Sequence, residues 1–202
     1  MEIKPETLSK WIKFIRFHPD LAERYMDCFW ESQTISKQFL LNMLEGQGSL
    51  GNVYIFGGWY GILAQLLIDS PLHSVRSIYS IDIDPKCEWV INDTIKETFV
   101  HPVTCNMSSF NYDKTPNTVI NTSTEHVTQS EYDVWWDKIP EGTMYILQGN
   151  NFWDDPEHIR TACDLDDFKS INNVQESTLE FAFKNPGPNN NEFFRYMVMG
   201  TK

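Results

Sequence analysis

Three glycines and one aspartate have the residue types and the spacing of a nucleoside-binding site. Gly57, Gly58 and Gly61 lie in the segment NVYIFGGWYGILAQLL, between an apolar run and a segment with helical periodicity. Glycine permits positive φ and leaves space for a ligand beside the backbone. Asp82 follows about 20 residues after Gly61, where an acid holds the ribose diol in nucleotide-binding folds. The pattern predicts a nucleoside bound at a strand-to-helix turn.

The second strand-like segment ends in IDIDP and offers two acids for different roles. Both could simply cap the helix that begins near Pro85. Asp84 directly precedes Pro85 and fits that role, which leaves Asp82 for the ribose. Ile83, between them, is expected to contact the same ligand.

Trp59 narrows the choice of ligand. In dinucleotide sites the middle glycine of the turn lets a pyrophosphate approach the backbone, and a bulky indole hinders that approach. An adenosine without phosphate, as in S-adenosylmethionine, needs no such space, and its sulfonium favours a nearby aromatic face. The alternative is that Trp59 packs on the N-terminal helices. Either interpretation disfavours phosphate binding.

The elements that must position these residues alternate between strand and helix after about residue 50. Such alternation predicts right-handed βαβ crossovers and a mostly parallel, doubly wound α/β sheet. The last two strand-like segments, STLEFAFK and EFFRYMVMG, are separated only by NPGPNN, which is too short for a crossover. We therefore expect a seven-stranded sheet that ends in an antiparallel β-hairpin. The predicted domain is single, 1–202, with a helical N-terminal extension over 1–48 and a Rossmann-like core over 49–202.

The composition disfavours several partners. With 28 acidic against 16 basic residues the net charge is −12, whereas a nucleic-acid partner favours excess Lys and Arg. An anionic membrane surface is disfavoured for the same reason. No apolar run has the length of a membrane span or the form of a secretory signal, so we expect a cytoplasmic protein. The four cysteines have no zinc spacing and are expected to be buried reduced thiols, with no metal site.

Residues 52 to about 200 resemble the class I S-adenosylmethionine-dependent methyltransferases. The first family motif, acid-x-Gly-x-Gly-x-Gly, corresponds to IFGGWYG, with Ile55 in place of the acid and Trp59 in place of the middle glycine. The resemblance implies the hairpin-terminated sheet and S-adenosyl-L-methionine as cofactor. It also implies cofactor contacts from the motif and from later strand ends: Phe56, Gly57, Gly58, Trp59, Gly61, Asp82, Ile83, Asn106, Met107 and Asn121. Asn106 and Met107 match the position that contacts adenine in this family, where the Asn106 carbonyl oxygen can accept from the exocyclic amine.

The resemblance places the end of the fourth strand, in NTVINTSTEHVTQ, beside the methyl group and its acceptor. Thr122 and Ser123 are expected to contact the acceptor. Methyl transfer needs mainly an in-line approach of the nucleophile, but a hydroxyl or ammonium acceptor must also lose a proton. An imidazole accepts protons near neutral pH, which makes His126 the candidate base and Glu125 its partner. The alternative is that His126 is structural and that Thr124 or Thr128 caps the next helix.

A second polar group follows the fifth strand. Asn150 and Asn151, in LQGNNFW, are predicted to lie past that strand and to bind a small polar substrate, although Gly-Asn-Asn is also good turn chemistry. The segment DDPEHIR is predicted to open a helix, with His158 at the surface or behind the site rather than a ligand.

Four functions are compatible with these residues. The leading hypothesis is methylation of a small-molecule or other non-nucleic-acid acceptor. Transfer or elimination of another part of the cofactor, such as the aminocarboxypropyl group, is the second. An NAD-dependent oxidoreductase and a non-catalytic binding module are the others. Residues 1–45 are expected to form a lid or an acceptor pocket, or else an ordinary cover.

Overall fold

The strands form one sheet, described for residues 3–187 and 191–202 by a computed structural model. Its order is β3-β2-β1-β4-β5-β7-β6. The first five strands in that order pair in parallel, and β7 pairs antiparallel with both β5 and β6. The strands are β1 (Gly48–Phe56), β2 (His73–Asp82), β3 (Val100–Thr104), β4 (Thr118–Asn121), β5 (Met144–Asn150), β6 (Leu179–Pro186) and β7 (Glu192–Thr201). The predicted doubly wound sheet with a terminal hairpin is confirmed.

Strand β1 is buried on both faces from Leu50 to Phe56, as expected for a parallel sheet covered by helices. Along β1 the side chains alternate between two apolar layers. Val53 and Ile55 pack with the N-terminal helices, while Tyr54 and Phe56 pack on the opposite face with aromatic side chains that include Trp135. The high aromatic content of the sequence thus fills the layer opposite the N-terminal helices.

In the part of the chain that the structure describes, seven α-helices surround the sheet: α1 (Pro5–Phe17), α2 (Ala22–Asp27), α3 (Glu31–Met43), α4 (Ile62–Asp69), α5 (Pro85–Thr94), α6 (Gln129–Asp137) and α7 (Leu165–Ile171). The first three form the predicted N-terminal cover. They bury Trp11, Tyr25 and Leu40 in the same apolar layer as Val53. Within the described residues, the helices are too short or too polar to cross a bilayer.

Two helix starts agree with the caps predicted from sequence. The Asp84 carboxylate accepts a hydrogen bond from the Lys86 N–H (2.9 Å) at the start of α5. Thr128 and Glu131 form a reciprocal capping box at the start of α6. Each cap satisfies backbone donors that would otherwise be unpaired. Each cap therefore fixes the residue at which its helix begins, near the carboxyl ends of the parallel strands.

The structure differs from the prediction after β5. This strand continues to Asn150, and DDPEHIR forms turns rather than a helix. The N–H groups of Ile159 and Arg160 both donate to the Glu125 carbonyl (3.0 Å each), which holds the segment across the end of β4. The helix begins only at Leu165, where the Asp164 side chain caps α7.

The expectation of four buried thiols is wrong for two of them. Cys28 and Cys87 are buried, but Cys105 is partly buried and Cys163 is exposed. Cys163 lies in the irregular segment before α7, where no second layer covers it. In the hairpin connection NPGPNN, residues 188–190 lie outside the described residues.

Candidate functional site

A cavity of about 1230 Å³ lies at the carboxyl ends of β1, β2 and β4. The strand order reverses between β1 and β4, which is where doubly wound sheets bind their ligands. The walls are the turn after β1, the ends of β2 and β4, the α2–α3 region, the 152–158 segment and the start of β7. Small-molecule sites usually measure about 300–1,000 Å³, so this cavity has room for a cofactor and a second molecule.

The glycine turn is fixed by backbone conformation and by close contact with its neighbours. Gly57 has φ of +65°, and a Cβ there would lie 2.5 Å from the Ser123 hydroxyl oxygen. A Cβ at Gly58 would overlap the Ser80 hydroxyl on β2. Both glycines line the cavity. Side chains at these positions would therefore push the turn away from the sheet or into the ligand space.

Gly61, a predicted cofactor contact, lies at the start of α4 and packs against α5. It has φ of +76°, and a Cβ there would lie 2.7 Å from Ile91 Cγ1 on α5. It does not line the cavity. Its lack of a side chain lets α4 begin close to α5, which is a packing requirement of the third glycine in such turns.

Trp59 combines the two roles that the sequence left as alternatives. It lines the cavity, and its partly buried ring also packs on the apolar layer of the N-terminal helices, 5.9 Å from the stacked ring of Tyr60. Its φ is +46°, a region that residues with a Cβ rarely occupy. The surrounding contacts hold this conformation, which costs of order 1–3 kcal/mol.

Asp82 faces the cavity, as predicted for a ribose acid. The Trp59 N–H donates to Oδ2 (2.9 Å), and the Asp84 N–H donates to Oδ1 (3.1 Å). Each carboxylate oxygen retains a lone pair for one more donor. The neighbouring Ile83 is 68% exposed and also lines the cavity. Two vicinal hydroxyls are the donors that this carboxylate suits.

The predicted adenine contacts lie together, but Asn106 is already engaged. Its carbonyl oxygen accepts from the Ser108 N–H and hydroxyl (2.8 Å each), and its amide donates to the Glu131 carboxylate (3.1 Å). These bonds fill the acceptor sites that the sequence assigned to an adenine amine. Met107 and Glu131 line the same wall. Glu131 is a candidate that sequence reasoning missed, because its capping role hides it in the pattern.

The residues predicted at the end of β4 all reach the cavity. Asn121 is buried, and its side-chain oxygen accepts from the Ser123 N–H (3.0 Å). Thr122 and Ser123 are partly buried and line the wall next to Gly57. Thr124 lies behind them and donates its hydroxyl to the Gln148 carbonyl (2.7 Å).

Glu125 is 2% exposed, and its two carboxylate oxygens have different surroundings. Its Oε1 accepts from the Asn150 amide and lies 3.8 Å from Arg195 Nη1, while Oε2 has no hydrogen-bond partner within the described residues. Burial lowers the pKa of the Arg195 guanidinium, and the Glu125 charge acts in the opposite sense. The acid and the guanidinium therefore compensate each other inside the site.

His126 lies beside a second histidine that is distant in sequence. The rings of His126 and His158 meet edge to face, with centroids 4.7 Å apart. His158 Nδ1 lies 2.7 Å from the Phe152 carbonyl, and its Nε2 lies 3.8 Å from an Asp155 oxygen. His158 thus lines the cavity rather than the outer surface, because the 152–158 segment folds over the end of β4.

The two asparagines predicted to bind substrate lie outside the cavity wall. Asn150 belongs to β5 and stands behind Glu125, to which it donates. Asn151 pairs with β7, where its side-chain oxygen accepts from the Phe194 N–H (2.7 Å). Both amides hold other parts of the protein, and contact with a substrate stays a prediction for them.

Three cations in the wall were not predicted, and one of them, Arg24, pairs with Asp84. Arg195 comes from β7, and Lys37 comes from α3. Burial lowers the pKa of Lys37 to about 8, and within the described residues its ammonium donates hydrogen bonds to the side chain and the carbonyl of Gln33. Arg195 could have been predicted, because it is a charged residue inside the apolar run EFFRYMVMG. No feature of the sequence indicated Lys37, because only the tertiary contacts of α3 place this face of the helix against the cavity.

The N-terminal helices contribute one wall of the cavity. Trp30 is 59% exposed at its rim, and Arg24 and Gln33 also line it. Trp11 and Tyr25, from the region expected to form a lid, an acceptor pocket or a cover, are buried in the apolar layer. The region thus serves both as a cover and as part of the pocket.

Comparisons with known proteins agree on the fold. No family model and no curated protein matches the sequence. Many solved structures do match. The N-methyltransferase NodS from Bradyrhizobium japonicum WM9 is 9% identical, with a TM-score of 0.65 over 84% of this chain and 97% of NodS. NodS has also been solved with S-adenosyl-L-homocysteine, at 12% identity and a TM-score of 0.60 over 83% of this chain and 87% of NodS.

Two other matches extend the range of relatives. A DhpI complex with SAM and HEP is 10% identical, with a TM-score of 0.56 over 98% of this chain and all of DhpI. The small RNA methyltransferase HEN1 is 12% identical, with a TM-score of 0.59 over 83% of this chain and 26% of HEN1. Identities this low identify a common fold. The chain has the fold of the class I S-adenosylmethionine-dependent methyltransferases.

Proposed function

We propose that this protein is an S-adenosylmethionine-dependent methyltransferase with a small polar acceptor. The observation that carries the proposal is the Asp82 carboxylate, held by two backbone N–H groups against the glycine turn and facing the cavity. The fold supports the same cofactor, and so does the neighbouring structure with bound S-adenosyl-L-homocysteine. We also propose that residues 1–202 act as one domain, since the N-terminal helices share an apolar layer with the sheet.

The residues of the turn fit an adenosine that carries no phosphate. Asp82 would hold the ribose hydroxyls, and Ile83 and Met107 would contact the base. Asn106 would orient Glu131, whose carboxylate can accept from an adenine amine. The pKa of Glu131 is lowered chiefly by its bond from the Thr128 hydroxyl and then by that from Asn106, so it remains an acceptor at neutral pH. The bound cofactor would supply an electrophilic methyl group next to the end of β4.

The remaining space favours an acceptor of modest size with an anionic group. Arg195 and Lys37 both line the cavity. Arg195 has one carboxylate partner, Glu125, and Lys37 has no acidic partner among the described residues. A carboxylate or a similar anion on the acceptor would pair with the Lys37 ammonium. The net charge of −12 makes a nucleic-acid acceptor less favourable.

The residues at the end of β4 would orient the acceptor and receive its proton. An acceptor lone pair forms the new bond to the methyl carbon while the carbon–sulfur bond breaks and its electron pair stays on sulfur. Thr122 and Ser123 would align this attack, since positioning supplies much of the rate of such a transfer. Glu125 and His126 are the groups of this wall that could take the acceptor's proton.

The carrying observation is tested by comparing two neighbouring acids. Asp82→Asn removes the charge that holds the ribose, and we expect S-adenosyl-L-homocysteine to bind about 10- to 100-fold more weakly, since hydrogen bonds to charged groups contribute about 1.5–3 kcal/mol. Asp84→Asn is the matched control, because Asp84 caps α5 and does not line the cavity. Isothermal titration calorimetry measures both variants. Equal affinities for Asp82→Asn and wild type would refute the proposed ribose site.

The spent cofactor distinguishes methyl transfer from the alternative reaction. Mass spectrometry should find S-adenosylhomocysteine after turnover, whereas methylthioadenosine would indicate transfer of the aminocarboxypropyl group. Binding of NADH in place of S-adenosylmethionine would favour an oxidoreductase. Tight cofactor binding with no turnover on any acceptor would favour a non-catalytic module.

A further inference from the structure

We propose that Glu125, His126 and His158 bind a divalent transition-metal ion in the acceptor half of the cavity. One ligand atom from each residue lies within 4.8 Å of the other two. Ligands about 2.0–2.2 Å from a shared ion lie somewhat closer together than this, so closure onto an ion requires only small side-chain rotations. We call these three residues the Glu-His-His cluster. The sequence predicted no metal site, because His158 is 32 residues from His126 and has no ligand spacing to it.

The carboxylate of the cluster is prepared to bind one more partner. Glu125 is 2% exposed, and its Oε1 is already held by the Asn150 amide and faces Arg195. The other oxygen, Oε2, is buried without a hydrogen-bond partner in the described part of the chain. A buried carboxylate oxygen without a partner is costly. A metal ion at Oε2 would remove that cost, while Asn150 and Arg195 fix the orientation of the ligand.

His158 has the arrangement of a metal-binding imidazole. Its Nδ1 lies 2.7 Å from the Phe152 carbonyl oxygen, which can only accept, so Nδ1 carries the hydrogen in the neutral ring. The lone pair then lies on Nε2, which is the ring atom left to bind an ion. Metal-binding histidines commonly donate their other ring N–H to a carbonyl in this way. His126 is exposed to the cavity and has no side-chain hydrogen bond among the described residues, so its ring is free to turn toward the ion.

The local charge and the ligand types indicate the class of ion. Besides Glu125, the carboxylates of Asp155 and Glu157 line this end of the cavity, against the single guanidinium of Arg195. Two imidazoles and one carboxylate with open positions suit zinc or iron(II). Magnesium and calcium prefer ligand sets made of oxygen. Asp155, 3.8 Å from His158 Nε2, is within reach as a fourth ligand.

The ion would have a role in the methyl transfer proposed above, and this role rests on that proposed function. An acceptor hydroxyl bound to the open position would lose its proton to water more readily, because a bound metal ion lowers the pKa of such a group. The resulting oxyanion would attack the methyl carbon as the carbon–sulfur bond breaks. His126 would then act as a ligand in place of a base. Binding of the ion itself does not depend on methyl transfer.

The test measures metal binding without cofactor or acceptor. Tag-free protein, first treated with a chelator, is titrated with Zn²⁺ by calorimetry and with Co²⁺ by visible absorption. We expect one ion per chain and cobalt bands of a site with nitrogen ligands. His126→Ala and His158→Ala should each weaken binding at least about 10-fold, the smallest loss typical even for residues behind the ligands. Mg²⁺ should bind far more weakly than Zn²⁺.

The matched control is His73→Ala, at the start of β2 and the opposite end of the sheet. It should bind Zn²⁺ as wild type does. Circular dichroism of each variant establishes that the fold is kept, and His126→Ala serves if His158→Ala does not fold, since His126 is exposed. The absence of a bound ion, or equal binding by wild type and His126→Ala, would overturn the inference. Neither result would affect binding of S-adenosyl-L-homocysteine, which tests the proposed function separately.

Discussion

At the residue scale, the site brings together an unusual backbone conformation and two poorly paired charges. Trp59 has a positive φ. Within the described residues, Glu125 has a buried oxygen without a hydrogen-bond partner, and Lys37 has an ammonium without an acidic partner. Each feature costs stability on its own. Their occurrence around one cavity is the physical signature of a site where stability has been exchanged for ligand binding.

Lys37 gives a prediction for stability against pH. Its pKa is lowered to about 8 by burial, from 10.5 for an unperturbed lysine. Between these values the unfolded chain binds more protons than the folded one, so this residue makes the free energy of unfolding rise with pH. The rise is at most about 1.4 kcal/mol per pH unit for one proton. Below about pH 8 the group is charged in both states and the contribution is constant.

The measurement compares wild type with Lys37→Met in urea between pH 7 and 10. The difference in unfolding free energy should move in favour of wild type as the pH rises above 8. The comparison is needed because buried groups such as Cys28, whose pKa burial raises to about 12, act in the opposite direction. A difference that stays constant over this range would show that Lys37 keeps its ordinary pKa.

At the element scale, the turn after β1 depends on the strand beside it. Gly58 donates its N–H to the Ile81 carbonyl (3.1 Å), and Asp82 on the same strand accepts from the Trp59 N–H. Three bonds or contacts thus join the turn to β2, the third being the close approach of Gly58 to Ser80. The conformation of the ligand loop is set by the neighbouring strand as much as by its own glycines.

This dependence predicts a rescue. Gly58→Ala should weaken S-adenosyl-L-homocysteine binding and lower stability, because the new Cβ overlaps the Ser80 hydroxyl. Removing that hydroxyl in the double variant Gly58→Ala, Ser80→Ala should recover part of both losses, since the next nearest atom, Ser80 Cβ, lies 3.3 Å away. A double-mutant cycle by calorimetry and urea denaturation measures the coupling.

The Gly61→Ala variant supplies the comparison for this cycle. Its φ is +76°, and its neighbour Ile91 belongs to another helix, so Ser80→Ala should not rescue it. Additive effects of Gly58→Ala and Ser80→Ala would contradict the proposed contact.

At the scale of the whole molecule, the charge distribution selects among acceptors. The net charge is −12, and the cations Lys37 and Arg195 line the cavity rather than an outer face. A nucleic-acid backbone requires an exposed basic surface that can displace counterions. A small anion requires only a few cations within a pocket. The fold alone does not make this choice, since it is shared with both NodS and HEN1.

We therefore predict that the protein does not bind RNA. Fluorescence anisotropy with labelled single-stranded and double-stranded RNA should give no saturable binding at physiological salt. Low-salt titrations provide the control, because weak nonspecific binding would weaken steeply as salt is added. Saturable RNA binding that persists at physiological salt would contradict a small-molecule acceptor.

The sequence by itself determined the order of strands and helices, the terminal hairpin, and the location of the glycine turn and Asp82. These follow from local rules, namely apolar periodicity, connection length and the backbone freedom of glycine. The tertiary structure alone decided that His158 meets His126, that Arg195 faces Glu125, and that Asn150 and Asn151 support other groups. Such contacts join segments that are far apart in the chain, and neither periodicity nor spacing records which distant side chains a folded loop brings together.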